Sequence, residues 1–300
     1  YKIAFCGYHG WHDWYLSTNL QNSKNLNTHL MPYINTKGIP KNLKNQTFGF
    51  NFNDINNFKK IVKKHKLAAV IMEVSRLKET EKKFIKEIRN ITKKKNICLI
   101  FDECTSGFRE TYGGLYKKYR IIPDIVVYGK SISNGYSLCA IVGKKKFMKN
   151  LEQSFVSSTF WTDRIGFAAS IKTLELMKKE KTWLKLKRKG VFVKNVWRKY
   201  SKKYKIDITI QGLDPLPTFN FNYKNHLELK TFVTQEFLKK GILASNTMYL
   251  SVKHTSSILK KYEKIFGEIF KKIQKLQKTN TKISSVLNSP ICIGGIRSKR

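Results

Sequence analysis

Four short apolar runs constrain this chain most: residues 68–72, 97–101, 125–128 and 140–143. None alternates apolar with polar residues, as a strand with one wet face must, because successive side chains point to opposite faces. Such runs predict strands buried on both faces of a sheet. Between the first two, residues 79–95 place Phe84, Ile85, Ile88 and Ile91 at helical spacing. The resulting strand–helix–strand unit predicts an α/β fold with a mostly parallel sheet flanked by helices. Ile3, Ala4, Phe5 and Cys6 read as a further strand. So abrupt an opening after Tyr1 leads us to expect that an N-terminal part is missing.

Asp163 reads as the cap of a later helix, with Ile165, Ala168, Ala169, Ile171, Leu174 and Met177 on its apolar side. Past residue 178 the character changes. A Lys-rich stretch to 203 leads to a strand at 206–210, a Gly212–Pro215 turn and a strand at 218–221. Amphipathic helices follow at 227–240 and 257–277, the second striped by Ile258, Tyr262, Ile265, Phe266, Ile269, Phe270 and Ile273. We therefore expect a large domain over 1–178, a smaller C-terminal α/β domain over 179–285 and a tail over 286–300.

Composition narrows the function classes. The 300 residues carry a formal net charge of +39, with 59 Lys and Arg against 20 Asp and Glu. A field of that size attracts polyanions. The basic residues are spread along the chain without a nucleic-acid-binding motif, which favours solvated helix faces over specific nucleic-acid recognition. No apolar run is long enough to cross a bilayer, and no signal peptide is recognisable, so no membrane role is expected. Cys6, Cys98, Cys104, Cys139 and Cys292 have no framework spacing and read as free thiols of a cytoplasmic protein. Cys6, His9 and His12 lie close in sequence, but nothing completes a four-ligand set, so no metal is expected.

Two of the apolar runs end on reactive groups, the second at Asp102-Glu103 and the third at Gly129-Lys130. Ligands of open α/β sheets bind outside the carboxyl ends of the strands. A carboxylate and an amine delivered there could face one bound molecule. Charged residues also follow strands simply because the chain is emerging into water. Spacing alone leaves both readings open, with plain solvation the favoured one.

The surrounding residues shift that balance. Phe101-Asp102-Glu103-Cys104-Thr105-Ser106-Gly107-Phe108-Arg109, followed by Gly113-Gly114, Pro123-Asp124-Ile125 and Gly129-Lys130, resembles the signature of class III aminotransferases. Tyr8-His9-Gly10-Trp11-His12-Asp13 is similar to a segment of the glutamate-1-semialdehyde aminomutase branch. Ser158-Thr159-Phe160 and the segment 241–245 resemble further family segments, in matching order. The resemblance implies a fold-type-I transferase dependent on pyridoxal phosphate, acting in amino-group transfer or migration. It implies that Lys130 forms the Schiff base and shuttles the substrate proton, while Asp102 pairs with the pyridine nitrogen. Tyr8 and Cys104 would lie on the two ring faces, with His9 near the ring. Thr159 would reach the cofactor phosphate of the partner in a homodimer, and the substrate would be a small amino/keto or amino-aldehyde compound.

There are departures. Glu73-Val74 stands where relatives have Glu-Pro, Lys78 stands where they place a polar or acidic residue, and 133–137 reads Ser-Asn-Gly-Tyr-Ser. The family's phosphate-cradling loop precedes the Tyr8 segment. A truncated, non-catalytic protein of this fold therefore stays open as an alternative, followed by an electrostatic nucleic-acid binder.

Overall fold

The computed structural model describes residues 2–29, 34–75 and 79–293. The chain divides into two compact units, the first running to Lys181 and the second starting at Thr182.

In the first unit, β1 (Lys2–Cys6), β2 (Thr47–Gly49), β3 (Leu67–Glu73), β4 (Cys98–Asp102), β5 (Ile125–Tyr128) and β6 (Ala140–Gly143) form one sheet. Its order is β2-β1-β3-β4-β5-β6. Every neighbouring pair is parallel except β5 and β6. The helices of this unit are α1 (Asp13–Leu16), α2 (Ile55–Lys64), α3 (Lys82–Lys94), α4 (Tyr116–Tyr119), α5 (Lys145–Met148) and α6 (Arg164–Glu180). Phe58 and Val62 of α2, and Phe84, Ile85 and Ile88 of α3, form buried stripes. Lys59, Lys60, Lys63, Lys82, Lys83, Lys86 and Lys93 stay exposed on the same helices. Asn53 sets where α3 starts. Its side chain accepts from Glu81 N at 2.9 Å and donates to Glu79 O at 3.2 Å, holding those residues outside the helix.

The expectation of strands buried on both faces needs correcting at each of the four runs. In β3, Val70 and Met72 are buried while Ala68 is exposed and Ala69 and Ile71 are half-buried. In β4 and β5 the pleat buries Leu99, Phe101, Val126 and Tyr128 while leaving Ile100 and Val127 half-buried. In β6, Ile141 and Val142 are 45% and 47% exposed. The physical reason is position, because among the described residues β6 is the last strand of the sheet and has a neighbour on one side only.

The register of β4 and β5 is fixed at their start by Asp124, which is buried. Its carboxylate accepts from Arg89 at 2.7 and 3.2 Å, from Lys144 Nζ at 2.7 Å and from Leu99 N at 3.0 Å. Burial alone would raise this carboxyl, but the bonds from Arg89, Lys144 and the Leu99 amide hold it below its ordinary value. One side chain thereby ties α3, β4, β5 and the chain after β6 together.

The second unit holds an antiparallel pair, β7 (Ile208–Gln211) and β8 (Thr218–Phe221), with α7 (Thr182–Tyr204), α8 (His226–Leu238) and α9 (Ser256–Lys278). The Lys-rich stretch is thus a helix, α7, which buries Leu186, Val193, Val196 and Trp197. Gly190 is required there, since a Cβ at this position would lie 1.7 Å from Asp214 O. The expected stripe of α9 is buried from Tyr262 to Ile273, whereas Ile258 is 47% exposed. Residues after 286, expected as a tail, hydrogen-bond to α8: Asn288 N donates to Gln235 Oε1 and Cys292 N to Thr231 Oγ1. Among the described residues no helix is long and apolar enough to cross a membrane.

Phe266 is fully buried and meets the rings of Trp197, Phe219, Phe237, Tyr262 and Phe270. Phe266→Ala is expected to cost about 3–5 kcal/mol of unfolding free energy in denaturant titration. The exposed control Ile258→Ala should stay within about 0.5 kcal/mol.

Candidate active site

Asp102 is the last residue of β4 and lies between Glu73 of β3 and Val127 of β5. The parallel register makes β1, β3, β4 and β5 end on the same edge, and Gly7-Tyr8-His9, Glu73, Asp102 and Gly129-Lys130 emerge there. This is the edge at which such sheets bind ligands.

Asp102 is clamped. Its Oδ2 faces His9 Nδ1 at 2.9 Å, and its Oδ1 accepts from Cys104 N at 3.0 Å. His9 Nε2 lies 3.1 Å from Cys6 O, and a carbonyl can only accept, so Nε2 carries hydrogen. Both ring nitrogens therefore face oxygen, and the pair is satisfied with one further proton between Nδ1 and Oδ2. Burial pushes the Asp102 carboxyl up, but His9 and the Cys104 amide more than offset it, leaving the group below its ordinary value. The His9 ring is stacked on Trp14 and met edge-on by Phe5 and Tyr15. The same surroundings push the Cys104 thiol up to about 12, through burial first and the Asp102 charge second.

The Tyr8 segment is held by Glu73, which is buried and accepts from Tyr8 N at 2.9 Å. Gly7 has φ +101°, and a Cβ there would lie 2.7 Å from the Glu73 carboxylate. The Tyr8 ring meets Trp11 and Tyr15 edge-on. Cys6 is buried in β1 with its thiol pushed well up by burial. Among the described residues no group of three or more His, Cys, Asp or Glu could hold a metal ion.

Lys130 is exposed at the end of β5, with its backbone in the left-handed region at φ +47°. A non-glycine residue there carries strain, a feature that clusters at functional sites. Its Nζ donates to Thr105 Oγ1 at 3.2 Å. A Cβ on Gly129 would lie 3.3 Å from both Cys104 Sγ and Cys139 Sγ, so the approach to Lys130 is tight. Asp102 and Cys104 at the end of β4 and Lys130 just beyond β5 thus occupy adjoining strand ends, with Tyr8 and His9 following β1 on the same edge. Thr159 is exposed in the 152–162 segment and makes no hydrogen bond to them. Lys78 lies outside the described residues.

The family model for aminotransferase class-III matches residues 3–276. The chain belongs to the class III aminotransferases. This class III chain is 32% identical over 189 residues to a 3-aminobutyryl-CoA aminotransferase of Cloacimonas acidaminovorans, covering 60% of the chain and 42% of the relative. It is 28% identical over 284 residues to a glutamate-1-semialdehyde 2,1-aminomutase of Methanococcus maripaludis, covering 86% and 65%. It therefore spans less than two thirds of the length of these relatives. In fold it matches the FumI protein of Sphingopyxis sp. MTA144, solved in a PLP internal aldimine form. The TM-score is 0.81 at 20% identity, covering 93% of this chain and 66% of that one. An omega-transaminase from Sphaerobacter thermophilus matches with a TM-score of 0.76 at 19% identity, covering 90% and 68%.

Glu73, Trp14, Thr105 and Glu103 also belong to this edge and its surroundings, although the sequence pattern assigned none of them a site role. Glu103 turns away from the edge into the core. It accepts from Ser106 Oγ and from Tyr116 N, and Gly114 leaves room for it, since a Cβ there would lie 2.6 Å from Oε1. Burial raises its carboxyl from 4.5 to about 7, with those bonds acting in the opposite direction. A carboxyl raised in the fold keeps its proton there while the unfolded chain has lost it. Its stabilising contribution is therefore full below about 4.5 and is lost as pH rises through about 7. Glu103→Gln, which copies the protonated form, should match wild type in Tm near pH 5 and exceed it by about pH 8. A difference in Tm that does not vary with pH would contradict this.

Proposed function

We propose that this chain carries the reacting face of a pyridoxal-phosphate enzyme that transfers or migrates an amino group. The observation that carries the reading is the clamped Asp102 carboxylate beside the Lys130 amine at adjoining strand ends. These two groups fit the cofactor. Asp102 stays ionised, its side chain is 14% exposed, and each oxygen has lone pairs beyond those facing His9 and Cys104. It can therefore receive a cationic ring N–H. Lys130 offers an exposed amine on the same edge.

When bound, pyridoxal phosphate supplies an electron sink for negative charge left on the substrate. Asp102 holds the ring nitrogen protonated, and His9 keeps the carboxylate aimed and ionised. Lys130 would hold the cofactor through Nζ, and that atom could take and return the substrate proton. Tyr8 and Cys104 would cover the two ring faces, and Gly129 lets the chain pass close to Cys104. The substrate class we propose is a small amino/keto or amino-aldehyde compound, supported by relatives named as aminotransferases and as aminomutases.

We extend the proposal to a homodimer. On and just before α6, Phe155, Trp161, Ile165, Phe167 and Ile171 are 52–99% exposed. A stretch so rich in exposed large apolar side chains marks an interface. Thr159 lies in the same stretch, and we assign it to the cofactor phosphate of the partner. The five cysteines are free thiols, which supports residence in the cytoplasm.

The tests use the full-length protein. With pyridoxal phosphate added, wild type should gain a visible absorbance band that Lys130→Ala abolishes and Asp102→Ala alters. A protein that stays colourless would contradict the reading. Phe167→Glu should halve the mass measured by light scattering, while an unchanged mass would refute the proposed interface.

A further inference from the structure

We infer that Thr105 is a positioning residue that holds the Lys130 amine in place, an inference that rests on the function proposed above. Lys130 leaves β5 on a strained backbone, and its long, exposed side chain has many rotamers to lose. Among the described residues, its one side-chain hydrogen bond is the 3.2 Å contact to Thr105 Oγ1. Thr105 itself is 5% exposed and belongs to a turn pinned on each side. Cys104 N donates to Asp102, Arg109 Nε donates to Thr105 O at 2.7 Å, and Ser106 Oγ and Gly107 N donate to Glu103. The hydroxyl is therefore presented from a fixed frame. That frame is continuous with β4, so Thr105 ties the amine of one strand end to the carboxylate of the next.

Threonine also suits both states of the amine. Its oxygen accepts from an ammonium, and its O–H donates to the lone pair of a free amine. The contact persists when Lys130 gives up a proton to become nucleophilic. Valine has the same shape and neither capacity, while serine keeps both. Thr105 lies within the class III-like segment 101–109, but nothing in the sequence links it to Lys130, and it reads there as one more polar residue of a turn.

The test compares Thr105→Val and Thr105→Ser with wild type in the full-length protein by two readouts. The first is the rate at which the visible band grows after pyridoxal phosphate is added. The second, without cofactor, is acetylation of Lys130 by a small anhydride, followed by mass spectrometry against other lysines of the same molecule as internal standards. Thr105→Val should slow band growth about tenfold and change Lys130 labelling relative to the standards, and Thr105→Ser should stay within about twofold of wild type. Valine behaving like wild type, or serine failing alongside valine, would overturn the inference. If wild type forms no band, the proposed function fails, and the labelling comparison alone decides whether Thr105 holds Lys130.

Discussion

The site depends on a buried charge at the opposite end of the sheet. Asp124 accepts from the Arg89 guanidinium, the Lys144 ammonium and the Leu99 amide, and its own backbone pairs with Leu99 and Lys144. A buried carboxylate is tolerable only when its partners are present, and removing one leaves an uncompensated charge. That requirement leaves β4 and β5 a single way to lie beside each other. Register in a sheet is all-or-none, since a slip of one residue turns every side chain to the other face. Locked at Leu99 and Asp124, the two strands run on until Asp102 stands beside Val127 and Lys130 follows just beyond.

At the far edge the same economy recurs with different groups. His9, Cys104 and the turn after β4 fix the Asp102 carboxylate, Glu73 fixes the Tyr8 segment, and Glu103 turns inward to hold the loop that carries Thr105. Each is a buried or half-buried carboxylate satisfied by named donors, and each keeps one segment in place. Three neighbouring acids thus have three fates. Asp102 is held ionised by a histidine, Glu103 is pushed toward protonation by burial, and Glu73 spans two strand ends. Environment, not residue type, sorts them.

Much of this was legible in the sequence. The run at 125–128 coincides with β5, and Asp102 and Lys130 were placed at strand ends by their apolar runs and singled out by the class III-like residues around them. What was not legible has physical reasons. β2 is only three residues long and has no run of its own. In α7, lysines mask the spacing of Leu186, Val193, Val196 and Trp197, which shows only once the helix is seen to bury them. The sequence displays the charge of Glu73 and Glu103 but not their burial, which depends on Gly7 and Gly114 giving way to them. Of the apolar side read for α6, Leu174 and Met177 pack against the cluster of Phe108, Val126, Tyr128 and Ile132, whereas Ile165, Ala168 and Ile171 stay exposed within this chain, so what covers them is not encoded locally.

On the proposed function, one lysine differs from all the others because of where β5 ends. Treating the full-length protein with pyridoxal phosphate, reducing with borohydride and mapping the peptides tests it directly. Our account predicts one cofactor per chain, attached at Lys130. Label scattered over the exposed lysines of the helices, with Lys130 no more modified than the rest, would contradict it.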